Sequence, residues 1–191
     1  MKAIRKDAGL TLVELIITLA ISATLLMLAS ASWTPLTEKI QASTVQSNIQ
    51  RIFTDARFRA VNSRTVITIC PLTAGGVCSN NWNTAISVFP DPENHYKAEP
   101  EDVVRTLNVS SAGHLKSSNA GSGARRYFQF KPDGSARGSI GHLVWCPGSG
   151  DASRANQVRI NFGGRLLWSK DENNDGIAED ASGQNINCQN N

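Results

Sequence analysis

Residues 2–33 read KAIRKDAGLTLVELIITLAISATLLMLASASW, and this stretch decides how the rest of the chain is organised. A short basic leader ends at Gly9, and one carboxylate, Glu14, precedes nineteen uncharged residues from Leu15 to Trp33. At about 1.5 Å per residue, such a helix extends over roughly 28 Å, enough to cross the hydrocarbon core of a bilayer. A secretory signal peptide has its small-residue cleavage site after the apolar run, whereas here Ala8-Gly9 precedes it. Cleavage after Gly9 would therefore remove the charges and keep the helix.

The run Gly9-Leu10-Thr11-Leu12-Val13-Glu14 resembles the class III leader of type IV prepilins and type II secretion pseudopilins. In that family a membrane-embedded prepilin peptidase cuts after the glycine and methylates the new amino terminus. The resemblance therefore implies processing at Gly9 and Leu10. Leu10 departs from the phenylalanine or methionine that is commoner at the first mature position, and the assignment stands without it.

Glu14 is the residue on which the predicted assembly depends. A carboxylate in hydrocarbon costs about 2.5 kcal/mol or more, so it needs a partner or a function. Cleavage would create the nearest cation, the amino group of Leu10. In the pilin family this glutamate meets the amino terminus of a neighbouring subunit, and the resemblance implies that Glu14 sets helix register in the same way. The alternative is a glutamate that sits at the headgroup level near the start of the helix.

Length and charge predict one exported head behind this helix. The chain has 191 residues and a formal charge of +3, to which the leader contributes three bases and Asp7, so the mature chain is near +1. This net positive charge is too small to indicate nucleic-acid binding. Basic residues before the helix favour a cytoplasmic leader and a translocated C-terminal domain. We predict a single-pass protein of the bacterial inner membrane with four parts: a leader (1–9), a transmembrane helix (10–34), its amphipathic continuation (35–62) and a periplasmic β-rich head with an acidic tail (63–191).

The predicted fold class is α+β, a pilin fold in which a long N-terminal helix packs on an antiparallel sheet. Pro35 should kink or loosen the helix, which is expected to end at residues 62–64. Its second half carries an apolar stripe: Ile40, Val45, Ile49, Ile52, Phe53, Ala56 and Ala60. Strands are predicted at 65–70, 84–89, 103–109, 127–130, 139–145, 157–162 and 165–169, with turns at 131–134 and 163–164 and loops at 110–123, 148–155 and from 171 onward.

The four cysteines predict two disulfides in an oxidising compartment, with three pairings open. We favour Cys70–Cys78 as a short local clasp and Cys146–Cys188 as a clip on the tail. Unpaired buried cysteines are the alternative. Zinc is less favoured, because neither CxxC spacing nor nearby histidines support it.

Within the pilin-like proteins the layout is most similar to the H-type pseudopilins and related minor pilins, the GspH/FimT family. Four stretches carry this resemblance: residues 52–60, 82–91, 130–134 and 159–165. It implies a minor pilin that assembles into, initiates or caps a type IV pilus, at its tip or within the filament. Its partners would be the prepilin peptidase, other pilin or pseudopilin subunits and the inner-membrane assembly platform. The alternative is an H-type pseudopilin of the type II protein secretion system.

The acidic tail resembles the opening of an EF-hand loop. Asp171, Asn173, Asp175 and Glu179 supply oxygens around Gly176, with a backbone carbonyl at Ile177. Ser182 occupies the twelfth position, where a bidentate glutamate belongs, so a solvated acidic turn is favoured over calcium. No other cofactor is predicted.

Nucleic acid is the second alternative, as a DNA-binding minor pilin for natural transformation. Some relatives bind DNA through a C-terminal glycine-arginine-x-arginine, of which Gly164-Arg165 keeps only the first arginine. Arg165 is therefore the candidate contact. Other basic residues are as easily scattered surface charges: Arg125, Arg126, Arg137, Arg154, Arg159 and Lys170.

No enzyme is predicted. His95, His114 and His142 lie in unrelated contexts, and no serine or cysteine stands in a nucleophile motif.

Overall fold

The fold is α+β, with a long helix packed on antiparallel sheets. The computed structural model describes residues 11–30, 33–108, 113–120, 123–137 and 141–188. Its helices are α1 (Leu12–Ser30) and α2 (Trp33–Ser63). The chain divides into two compact units, Met1–Thr37 and Glu38–Asn191, and the second is the head. The part of α2 from Glu38 onward therefore belongs to the head.

The described strands run in chain order as β1 (Ile67–Pro71), β2 (Ile86–Pro90), β3 (Arg105–Leu107), β4 (Gly113–Ser117), β5 (Asn119–Ala120), β6 (Gly123–Ala124), β7 (Phe128–Phe130), β8 (Gly141–Pro147), β9 (Asn156–Ile160) and β10 (Leu166–Trp168). One sheet has the order β3-β2-β1-β7 and a second has the order β10-β9-β8-β4, while β5 and β6 pair with each other. Each pairing between these strands is antiparallel. The antiparallel prediction is confirmed.

One stripe of α2 packs into a core shared with both sheets. Phe53 lies at its centre, with its ring centroid 5.4 Å from that of Phe128 and 6.3 Å from that of Phe130, both edge-on. Burying an aromatic side chain of this size contributes roughly 1.5–3 kcal/mol. The buried apolar side chains of α2 are Ala42, Val45, Ile49, Ile52, Phe53, Ala56 and Ala60.

The structure corrects the predicted stripe near its start. Ile40, which we predicted to face the core, is 56% exposed, whereas Glu38, predicted to lie between the core positions, is only 7% exposed. The carboxylate of Glu38 accepts a hydrogen bond from Arg154 at 3.4 Å, and Arg154 also bonds Asp151. Arg154 lies in the head. At Glu38 a polar contact with the head therefore holds α2, whereas the helical periodicity predicted an apolar contact through Ile40.

The predicted helix end and the two predicted turns are present. α2 ends at Ser63, and Arg64 follows with a left-handed φ of 52°. Pro35, which we predicted to kink or loosen the helix, lies in α2 close to residues 31–32, which are outside the described ranges, so the kink stays a prediction. Gly134 and Gly164 have φ of 77° and 72°, so each occupies the conformation that favours glycine.

The predicted loop at 110–123 is wrong in part, because it contains β4 and β5. Leu115 is buried at 2% while its neighbour His114 is exposed, the alternation of a half-buried strand. Gly113 lies directly over the Trp145 ring, where a Cβ would collide. Gly113, one of the small residues that suggested a loop, is thus required by close packing on β8.

The structure joins the two cysteine pairs that the sequence favoured, Cys70–Cys78 and Cys146–Cys188. The second bond ties the tail to β8. There Cys146 and Cys188 form a small buried cluster with Ala155 and Ile186. The tail is otherwise held by turns and by an isolated bridge between Glu179 and Asn185.

Replacing Cys146 and Cys188 with serine should release the tail and leave the rest of the head folded. Few apolar tail side chains remain to hold it, so we expect a loss of about 2 kcal/mol, at the lower end for a disulfide. Cleavage by a glutamate-specific protease after Glu179, now 7% exposed, should accelerate roughly tenfold. The Cys70→Ser, Cys78→Ser variant is the control, because its tail clip is intact. Equal rates after Glu179 in both variants would contradict this account.

Candidate assembly site

Glu14 and Thr11 close a reciprocal cap at the start of α1. The backbone N–H of Glu14 donates to Thr11 Oγ1 at 3.2 Å. In return, the backbone N–H and the hydroxyl of Thr11 donate to Glu14 Oε2 at 3.4 and 3.5 Å. Such a capping box gives acceptors to amides that the first turn leaves unsatisfied. The Thr-x-x-Glu spacing is a local signature of this cap, which is therefore readable from the sequence although it was not among the predicted features.

Gly9 and Leu10, the predicted processing residues, lie outside the described residues. So does the amino group that Glu14 is predicted to meet. Within the described chain the glutamate side chain is exposed and bonds Thr11. A carboxylate near a helix N-terminus is also favoured by the helix dipole. The inter-subunit pairing of Glu14 stays a prediction.

The described side chains of α1, from Leu12 to Met27, are all exposed. The values include 77% for Leu12 and 71% for Leu26. A helix that is apolar on every side requires apolar surroundings, from lipid or from other helices. In the described part of the chain, no helix has both the length and the apolar character needed to cross a membrane. The predicted span, 10–34, also includes residue 10 and residues 31–32, which lie outside the described ranges.

Polar contacts fix α2 on the head along several turns. Besides the Glu38–Arg154 contact, Asn156 Nδ2 donates to the Ala42 carbonyl at 3.0 Å. Trp168 Nε1 donates to Gln50 Oε1 at 2.9 Å. Further along, Arg57 Nε donates to the Gly134 carbonyl at 2.9 Å. Because these contacts recur from residue 38 to residue 57, the head holds this part of the helix as one body.

Arg165, the predicted DNA contact, lies beside α2. It lines a cavity of about 230 Å³ together with Arg57 and Gly164. The structure therefore places Arg57 of α2 beside Arg165, and DNA binding by Arg165 stays a prediction. Arg57 Nε is engaged by the Gly134 carbonyl, and Arg154 is engaged by Glu38 and Asp151. Arg125 lies over the Phe128 ring at 5.4 Å from its centroid.

The acidic tail uses its carboxylates to close turns. Asp171 accepts from the backbone N–H groups of Asp175 and Gly176, and Glu179 accepts from those of Glu172 and Asn173. Gly176 has a φ of 90° at the turn. No group of three or more His, Cys, Asp or Glu side chains in the described ranges is arranged to hold a metal. Calcium binding by Asp171, Asn173, Asp175 and Glu179 stays a prediction.

Two family models match the chain. The model described as Type II transport protein GspH matches residues 46–164. The model described as a prokaryotic N-terminal methylation motif matches residues 4–30. No curated protein matches. The methylation-motif match covers most of the leader and the apolar helix. The GspH match covers the head from residue 46 in α2 to the turn between β9 and β10.

Two crystal forms of one solved protein share the fold at low sequence identity, and a third solved structure is similar at a lower score. The type IV minor pilin FimU of Pseudomonas aeruginosa strain PAO1, in one crystal form, is 18% identical with a TM-score of 0.51, over 67% of this chain and 90% of that one. A second crystal form of FimU gives 18% and 0.50, over 68% and 90%. The minor pseudopilin EpsH from the Type 2 Secretion System of Vibrio cholerae is 11% identical with a TM-score of 0.45, over 65% and 92%.

Proposed function

The chain belongs to the GspH family of type II transport proteins, and on this premise we propose that it is a minor pilin that assembles into, initiates or caps a type IV pilus. The methylation motif over residues 4–30 supports cleavage by a prepilin peptidase after Gly9 and N-methylation of Leu10. In this proposal residues 10–34 anchor the chain in the inner membrane and the head lies in the periplasm until assembly. Its partners are other pilin subunits and the inner-membrane assembly platform.

The observation that carries this proposal is the uncovered apolar surface of α1 behind the Thr11–Glu14 cap. Every described side chain of this helix is exposed, while the head buries its own core. Exposed apolar surface of this extent marks a site of contact with lipid or with other proteins. Packing among the equivalent helices of other subunits would cover it. Small residues such as Ala20 and Ser22 would allow those helices to approach closely.

The family description also favours the alternative, an H-type pseudopilin of the type II secretion system. A loop-rich head with two disulfides supports the pilus assignment. The choice of the pilus over the secretion system is the more specific part of the proposal. The two functions share the anchor, the processing step and the assembly mechanism. They differ in which filament the subunit joins.

Deleting the gene in its native host and scoring piliation, twitching and protein secretion in parallel separates the two. We expect piliation and twitching to fall and secretion to continue. Complementation with the unmodified gene should restore piliation, while Gly9→Val, which blocks the cleavage site, should not. Ala3→Val is the matched control, since it alters the leader away from the junction. Loss of secretion alone would establish the alternative, and normal piliation and secretion would remove both.

A DNA-binding pilin is the remaining candidate, favoured by the shared cavity of Arg57 and Arg165. Contacts to phosphate weaken with salt, so a mobility shift of the full chain in detergent should be measured at low and high salt. Arg165→Gln should lower the salt slope by about one ion, whereas Arg105→Gln on β3 should not. Absence of any shift at low salt would remove this candidate.

A further inference from the structure

A groove on the outer face of the second sheet carries polar groups that assembly through α1 does not use. Its volume is about 340 Å³, near the lower end of the roughly 300–1,000 Å³ typical of ligand sites. The core face of β8 carries Leu143 and Trp145, so His142 lies on the opposite face. The groove is lined by Ser118, Asn119, His142, Arg159, Asn161 and Leu167.

The strand register places four of these residues in one row. His142 on β8 pairs with Arg159 on β9, and Arg159 pairs with Leu167 on β10. Ser118 extends the row, because its amide donates to the His142 carbonyl and its Oγ accepts from the His142 amide at 3.2 Å. Directly paired residues have Cβ atoms about 4.5–5.5 Å apart, so their side chains can contact one ligand together. The row is rigid because it is built on paired strands.

The groove lining has one sign of charge. Arg159 and His142 are its ionisable residues, and Arg159 forms no ion pair within the described ranges. The negative charge of Asp180 acts on His142 from outside the lining, and its Oδ1 is held by the amide of Ser182 at 2.7 Å, by the Ser182 hydroxyl at 2.6 Å and by the amide of Gln184 at 3.2 Å. A half-buried guanidinium without a carboxylate partner favours an anion in the groove.

Burial lowers the pKa of the His142 imidazole below its ordinary value. The positive charges of Arg125 and Arg159 lower this pKa further, and Asp180 opposes them. The imidazole is therefore mostly neutral at pH 7. A bound carboxylate would stabilise its protonated form, so anion binding should strengthen as the pH falls.

We propose that this groove binds an acidic peptide segment of a partner protein, with a carboxylate held between Arg159 and His142. The amide side chains of Asn119 and Asn161 suit a peptide backbone, because each amide can donate to a carbonyl. Asn161 Oδ1 already accepts from the Arg165 amide at 2.9 Å, which leaves its Nδ2 as the donor. Leu167, 39% exposed, supplies an apolar contact for the side chain next to the acidic residue.

The test uses the full chain in detergent micelles and the fluorescein-labelled peptide Gly-Leu-Asp-Leu-Gly-amide, measured by fluorescence polarisation. We expect saturable binding and roughly tenfold weaker binding of the Gly-Leu-Asn-Leu-Gly-amide counterpart. Arg159→Gln should weaken the acidic peptide by about the same factor. Arg105→Gln, which removes an exposed arginine from the other sheet, should leave it unchanged. Binding should tighten from about pH 8 to pH 6 in the unmodified chain and not in His142→Gln.

A direct readout guards against a misfolded variant. The imidazole signal of His142 in the unmodified chain should shift on addition of the acidic peptide and not of the amide peptide. Equal affinity of both peptides, or equal binding by Arg159→Gln and Arg105→Gln, would overturn the proposal. So would the absence of saturable binding with an unmoved His142 signal. Binding of trigalacturonate without binding of the peptide would also overturn it, in favour of an acidic sugar.

Discussion

A Glu14→Gln variant will be made and inserted like the unmodified chain, but it will enter filaments at a level lower by roughly tenfold or more. Glutamine also serves in a capping box, so the Thr11 bonds that begin α1 can survive this change. What the variant loses is the negative charge. In hydrocarbon an ion pair with the amino group of Leu10 on a neighbour would offset a cost of about 2.5 kcal/mol or more, and a neutral amide gives no such pairing.

Thr11→Ala is the matched variant, because it removes the Oγ1 acceptor and keeps the carboxylate. Loss of a cap costs about 1 kcal/mol of helix stability, which surrounding helices can tolerate. Immunoblots of sheared filaments and of membranes should therefore show Thr11→Ala in both fractions and Glu14→Gln in membranes alone. Normal filament levels of Glu14→Gln would show that the carboxylate is not needed for assembly. If Thr11→Ala failed to enter filaments while Glu14→Gln entered them, the role of Glu14 would be to cap α1.

Local patterns in the sequence predicted the parts of the fold that depend on neighbouring residues. The end of α2 at Ser63 and the turns at Gly134 and Gly164 are such parts, since each is set by a few adjacent residues. Antiparallel strands followed from their composition and turns, with ends displaced by a few residues. Where each strand begins depends on the strand with which it pairs in the fold. Local sequence patterns do not identify that partner strand.

Features that depend on distant residues were missed. Glu38 is buried because Arg154, 116 positions later, reaches it, and helical periodicity contains no trace of that contact. The outer groove likewise needs His142 and Arg159 from two paired strands together with Ser118, which directly follows β4. From the sequence, His142 is an isolated histidine, because the residues adjacent to it in the chain do not indicate a binding site. The candidate sites at Gly9, Leu10 and Glu14 rest on a local motif, and for that reason the sequence alone could name them.

Asp91 shows a further long-range requirement, and it gives the largest expected loss of stability. Its carboxylate, 4% exposed, accepts from Thr68 Oγ1 at 2.9 Å and from Gln129 Nε2 at 3.3 Å. It also accepts from the backbone amides of His95 at 2.8 Å and Tyr96 at 3.2 Å. Thr68 and Gln129 stand opposite each other on β1 and β7. One carboxylate therefore joins the first sheet to the loop that follows β2.

The same carboxylate holds a loop of unfavourable backbone geometry. Asn94 and Tyr96 have φ of 60° and 55°, and each left-handed residue other than glycine costs about 1 kcal/mol or more. Such a loop persists because its amides are fixed by a buried acceptor. Without Asp91, the buried Thr68 hydroxyl and two backbone amides lose their acceptor together, whereas Gln129 Nε2 keeps Thr68 Oγ1 at 2.9 Å and Asn94 Oδ1 at 3.1 Å. Leaving a buried polar group unpaired costs roughly 1–3 kcal/mol, and relaxation of the loop toward water recovers part of it.

Asp91→Ala should therefore lower the free energy of unfolding by about 3 kcal/mol, since the Thr68 hydroxyl cannot reach water without opening the sheet and the two loop amides lose their buried acceptor. For a chain of this size the midpoint of thermal unfolding should fall by roughly 10 °C. The buried Trp82 and Trp145 report the transition by fluorescence. Glu93→Ala is the matched control, because Glu93 lies in the same loop and makes only an exposed contact with His95. It should change stability by less than about 0.5 kcal/mol. Equal midpoints for the two variants would mean that water replaces the Asp91 carboxylate, and the loop would then be held by the packing of its side chains.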